Sequence, residues 1–190
     1  MSSYGLWKKY KTSLILPTFS GFILVLTLIF NELYLLLFFF LVPLFFFLES
    51  IETKKEALKG GFVLGIVYSL LSLFIVLWPS QEFFNFFTSN YQSAGIPSAD
   101  ILLLILFLIL SPLVALVYGL FSLGTFFVLN FYKNKRIYLF IFIPLFWVIA
   151  EFLKRKIFFD LSWGDIGYNL VDFTFFVNTA KIWGREGLAF

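Results

Sequence analysis

Between Pro144 and Asn169 the chain reads PLFWVIAEFLKRKIFFDLSWGDIGYN, which sets Glu151, the cations Lys154, Arg155 and Lys156, and the indoles of Trp147 and Trp163 in a Phe/Leu-rich background. Trp147, Glu151 and Lys154/Arg155 recur at i, i+4 and i+7/i+8, so a helix carries them on one face. Glu151 follows an apolar run and precedes Phe152-Leu153. An uncompensated charge there costs about 2.5 kcal/mol or more on the membrane-insertion scale. It needs a partner, and Lys154 or Arg155 is the nearest. Two readings follow: an intrahelical ion pair that only neutralises itself, or a polar site that holds an anionic group such as a lipid phosphate. After Phe159 the helical period breaks at Asp160, and Ser162 to Asn169 reads as a loop with Gly164 and Gly167 freeing the backbone. That loop can fold Trp163 and Tyr168 back over the cations, or simply seat both rings at the bilayer interface. The candidate lipid-binding residues are therefore Glu151, Lys154, Arg155, Trp163 and Tyr168.

The chain has no Cys and no His. Disulfides, thiolate nucleophiles, imidazole acid/base chemistry and the common zinc sites are thereby excluded within these residues. No catalytic nucleophile, metal ligand set or cofactor motif is expected. A net charge of +3, divided among loops, gives no support for nucleic-acid binding.

The elements that must position these residues are membrane helices. With 61% hydrophobic, 23% aromatic and 13% charged residues, the composition lies outside the soluble globular range. Apolar runs at about 12–30, 33–48, 58–78, 101–129 and 137–153 predict an all-α, polytopic bundle of about five spans. The second and fifth are short and call for snorkelling ends or a locally thinned bilayer. The fourth is long enough to tilt, or to kink at Pro112. A soluble parallel sheet is the alternative for so much apolar sequence, but turn punctuation at strand spacing is missing. The first run follows Lys8, Lys9 and Lys11 without a small-residue cleavage site, and is expected to stay as an anchor. Residues 170–183 are too polar for a clean span and suit an interfacial or re-entrant segment. Gly61/Gly65 and Ala115/Gly119 form small-xxx-small pairs that favour close helix packing. Without repeats or linkers, residues 1–190 read as one transmembrane domain.

The same stretch carries a resemblance. Pro144, Trp147, Glu151-Phe152-Leu153-Lys154, Trp163, Gly167-Tyr168 and Asp172 look like the signature of the bacterial apolipoprotein N-acyltransferases, which runs P, W, E-F-L-R, F-P-W, G-Y-S at the same spacings. Leu41-Val42-Pro43-Leu44, Gly61 and Gly65 upstream, and Ala180, Gly184, Gly187-Leu188 and Phe190 downstream, are similar to that family's membrane half. Lys154 stands where the family has Arg, with Arg155 beside it; Ser162 replaces a Pro, and Asn169 a Ser or Thr. Lys keeps the charge but loses the planar fork that grips phosphate bidentately. The resemblance implies transfer of a fatty acyl chain from a phospholipid to the N-terminal amine of a lipoprotein, at the outer face of the bacterial inner membrane. It also implies that the chemistry belongs to a nitrilase-like domain with a Glu-Lys-Cys triad, supplied in cis or in trans, since this sequence contains no such domain. Two other classes remain open: a membrane anchor or scaffold for a partner such as a lipid-linked-sugar glycosyltransferase, and a small transporter subunit, against which the apolar span centres count.

Orientation follows from the short loops. Lys8, Lys9 and Lys11, then Lys54, Lys55 and Lys59, then Lys133, Lys135 and Arg136 mark cytoplasmic segments, whereas Asn31-Glu32 and residues 79–100 contain no Lys or Arg. The N-terminus is then cytoplasmic, and Lys154-Arg155-Lys156 reaches the outer side against the rule, either as snorkelling anchors or held by something specific. Single cysteines introduced at Asn90, Lys55 and Asn134 check this: position 90 should react with an impermeant maleimide from outside and the other two should not, and the reverse pattern would overturn the topology.

Overall fold

The computed structural model describes residues 14–77, 99–132 and 137–157, together with positions 170 and 178. Among the described residues there are helices and no strands. They run in the order α1 (Ile15–Ile29), a 3₁₀ segment (Asn31–Phe38), α2 (Leu41–Ser50), α3 (Lys54–Leu77), α4 (Ala99–Phe131) and α5 (Ile137–Ile157). These correspond in order to the five apolar runs. Three stretches, Glu32–Ser50, Leu108–Phe131 and Ile137–Ile157, are long and apolar enough to cross a membrane. The chain is an all-α membrane protein.

One expectation changes in detail. The second run is not one α-helix, because Pro43 sits in the first turn of α2. Proline lacks an N–H, and its ring crowds the carbonyl four residues back, which disfavours α-helical geometry around Phe39. The chain instead enters as a 3₁₀ helix with a kink at Leu33. At about 2.0 Å per residue the 3₁₀ part rises faster than an α-helix, and with α2 its contour approaches the roughly 30 Å of hydrocarbon. Shortness is thus met by stretching. The fifth helix extends past its apolar run, as the placement of Lys154 and Arg155 on its face expects, and holds helical geometry through Lys156 to Ile157, 21 residues in all. Charge inside that last turn is tolerated because Glu151 and Lys154 neutralise each other, as described below. α4 runs through Pro112 as a single helix of 33 residues.

Polar backbone groups freed by these irregularities find partners within the bundle. The Leu44 N–H donates to Ser20 Oγ on α1 at 3.0 Å, satisfying a donor in the first turn of α2. Where α3 begins, Thr53 and Glu56 form a capping box: Glu56 N–H donates to Thr53 Oγ1 at 3.2 Å, and Thr53 N–H donates to Glu56 Oε2 at 3.3 Å. Lys54, Lys55 and Lys59 are exposed at this end, and the Lys54 ammonium sits 4.9 Å from the centroid of Phe127, near the far end of antiparallel α4.

The α3–α4 pairing is the most extensive in the molecule, and the small residues make it possible. A Cβ at Gly61 would run into the Tyr118 carbonyl oxygen and Ser122 Cβ; one at Gly65 would meet Ala115 Cα. The two small-xxx-small motifs therefore face each other, with Gly119 against Leu58. At this approach the Ser122 hydroxyl donates to the Ala57 carbonyl across the interface at 2.8 Å. Large side chains such as Phe19, Phe38, Phe46, Leu120 and Phe140 point outward, as a lipid solvent requires. Because the obstacle at Gly61 is backbone, Gly61→Ala should destabilise the protein by about 1–3 kcal/mol. At Gly124 the nearest atoms belong to the Phe146 ring, at 3.1 Å, so Gly124→Ala should cost clearly less; thermal unfolding in detergent compares the two.

Candidate functional site

α4 and α5 are antiparallel, and Tyr118 and Glu151 each lie roughly 20 Å of helix from the α4–α5 connection. The two side chains are therefore level. Glu151 Oε2 accepts from Lys154 Nζ at 2.8 Å, and both side chains are buried, with Lys154 at 1% exposure and Glu151 at 9%. Tyr118 on α4 donates its hydroxyl to Glu151 Oε1 at a longer 3.4 Å. Tyr68 on α3 offers its ring face to the Lys154 ammonium, 5.3 Å from the centroid, within cation–π range. Its ring also meets Tyr118 edge-on at 5.5 Å. The ion pair is intrahelical, as one reading expects, but groups from two further helices enclose it.

One turn before Glu151, Trp147 is buried in an aromatic box. Phe40, beside the 3₁₀ segment, and Phe121 of α4 meet it edge-on with centroids at 5.0 and 5.1 Å, and Tyr118 at 5.7 Å. Such pairs contribute about 0.5–1.5 kcal/mol each beyond the area they bury. The box joins the second, fourth and fifth apolar runs around a single indole.

Of the three cations at the end of α5, Lys154 and Arg155 are buried and only Lys156 is exposed. Snorkelling does not describe the first two. The Arg155 guanidinium lies 5.7 Å from the Phe152 ring and the Lys156 ammonium 5.6 Å from the same ring. Trp163 and Tyr168 lie outside the described residues, as does most of the segment 170–183. Within that segment Leu170 is buried in the common core and Asn178 is exposed, so the chain touches the bundle again at Leu170.

Sequence reasoning brought Glu151, Lys154 and Trp147 together correctly and missed Tyr118 and Tyr68. Both phenols stand inside long apolar runs, and both adjoin the glycine motifs: Tyr118 precedes Gly119, and Tyr68 follows Gly65 by three residues. A hydroxyl beside a close-packing motif was the available signal. It does not name a partner on another helix.

Removing one member of a buried ion pair leaves the other charge uncompensated, whereas replacing both with apolar groups can be nearly neutral. Glu151→Gln should therefore lower stability by about 3 kcal/mol, and Glu151→Leu combined with Lys154→Leu by much less. Unfolding in detergent reads both, and equal losses would argue against the pair.

A buried carboxylate–ammonium pair in an aromatic frame can orient a polar group at the end of a membrane helix. Comparisons with the curated proteins and with the solved structures return no match. The family model of the apolipoprotein N-acyltransferase N-terminal domain matches residues 20–190. The match takes in all five helices except the first turn of α1, together with the whole Pro144 to Asn169 stretch, and the chain therefore belongs to the apolipoprotein N-acyltransferase N-terminal domain family.

Proposed function

We propose that this chain is the membrane part of an apolipoprotein N-acyltransferase, supporting transfer of a fatty acyl chain from a phospholipid to the N-terminal amine of a lipoprotein at the outer face of the bacterial inner membrane. Family membership over residues 20–190 carries this reading. The polar end of α5 is consistent with it: an anionic headgroup favours a helix end that gathers cations and aromatic rings. Glu151, Lys154, Arg155, Trp163 and Tyr168 are assigned to the headgroup site. In this assignment Glu151 and Lys154 hold each other, and Arg155 brings the planar fork that Lys154 lacks and that suits a phosphate.

Acyl transfer through a covalent intermediate needs an activated nucleophile, and this sequence holds no cysteine. The acyl-carrying group is assigned to a nitrilase-like domain acting with these helices, in the same polypeptide or beside it. The purified 190-residue chain should not convert phospholipid and lipopeptide to N-acylated product, and any turnover by it would refute the division of labour. In membranes holding the complete enzyme, Arg155→Ala should raise the phospholipid KM about tenfold, the value of one charge-assisted contact. An unchanged KM and kcat for Arg155→Ala, Trp163→Ala and Tyr168→Ala would leave only interfacial anchoring, and would favour the scaffold reading.

A further inference from the structure

The geometry points to Tyr118 and Tyr68 as positioning residues that fix the register of α5 against α3 and α4, and so set the height at which the chain leaves α5 toward the 158–169 segment. α5 is less enclosed than α4: 22% of its apolar stretch is buried, against 56% for that of α4. Its outward side carries Ile137, Ile141, Leu145, Ile149 and Phe152, and its inward contacts with α4 include Phe146 against Gly124 and Trp147 against Tyr118 and Phe121. Apolar surfaces in lipid resist sliding weakly, because no hydrophobic gain is lost when one apolar neighbour replaces another.

Directional contacts are different. The Tyr118 hydroxyl reaches one oxygen of Glu151, Lys154 closes on the other, and Tyr68 receives the ammonium on its ring. Sliding α5 by one turn, about 5.4 Å, breaks both inter-helix contacts, Tyr118 to Glu151 and Tyr68 to Lys154, while the intrahelical Glu151–Lys154 pair travels with the helix. Neither tyrosine can yield easily. Tyr118 is 1% and Tyr68 3% exposed, and Tyr118 is held by the same α3 glycines that admit its backbone. A buried polar group that specifies register is the best-attested use of such groups. Any link from this register to headgroup binding rests on the function proposed above. Register itself can be read without lipid turnover, so the two ideas fail separately.

The absence of native cysteine allows disulfide mapping of the full chain in membranes. Gly124→Cys paired with Phe146→Cys reports the native register, and Gly124→Cys paired with Phe142→Cys or Ala150→Cys reports a slip of one turn either way. In the parent chain the 124–146 pair should dominate under copper-phenanthroline oxidation. Tyr118→Phe, which removes only the hydroxyl, should shift the ratio of native to slipped product by about fivefold, the population change of one hydrogen bond. Tyr68→Leu, which removes the ring face that the ammonium meets, should shift it in the same direction as Tyr118→Phe. Unchanged ratios in both Tyr118→Phe and Tyr68→Leu would overturn the inference. So would a parallel loss of all three products, because that would mean the helix detaches and does not slip.

Discussion

Hydrocarbon offers no hydrogen bonds, and the whole arrangement follows from that constraint. Each departure from a plain apolar α-helix is matched by a partner inside the bundle: Ser20 for the Leu44 N–H, the Ala57 carbonyl for Ser122, and Lys154 with Tyr118 for Glu151. Other hydroxyls bond back to their own helix, as Thr27 does to Leu24 and Ser69 to Gly65. The exception among the described side chains is the Thr125 hydroxyl, which is buried without a hydrogen bond. Where water is available, at the start of α3, the chain uses an ordinary capping box instead.

Between helices the driving force is contact rather than escape from water, since lipid tails are as apolar as the helix surfaces. Close approach is what the glycines permit. By letting α3 and α4 meet at backbone distance, Gly61 and Gly65 place Tyr118 and Tyr68 side by side, and this pair of helices becomes the rigid platform onto which α5 lays its ion pair. The polar cluster is therefore a product of the small-residue packing, and the aromatic box around Trp147 brings in Phe40 from the second apolar run.

The five helices and close packing at the small-residue motifs were legible in the sequence, because apolar run length and small-residue spacing are local properties; that the two motifs meet each other was not. That Glu151 pairs with Lys154 or Arg155 was legible for the same reason, since all three lie on one helix within a turn; the choice of Lys154 comes from the structure. What no local pattern carries is inter-helix register, so Tyr118 and Tyr68 were passed over as ordinary residues of apolar spans. The 3₁₀ opening of the second run was missed although Pro43 was in view. A proline in the first turn is compatible with a helix that starts there, and only the length still to be crossed shows that the chain must enter earlier by another geometry. Trp163 and Tyr168 keep the standing the sequence gives them.

That 3₁₀ segment bears on which bilayers suit this protein. Eight residues in 3₁₀ geometry reach about 4 Å further than the same residues wound as α-helix, a difference comparable to the spread in hydrocarbon thickness between cellular membranes. The second run is thus already near its full extension. It can shorten by rewinding when the membrane thins, but it has no remaining slack with which to follow a thickening one. Thick bilayers would have to be met by the lipid compressing around Phe38 and Phe39, so the strain of mismatch falls beside the aromatic box that holds Trp147.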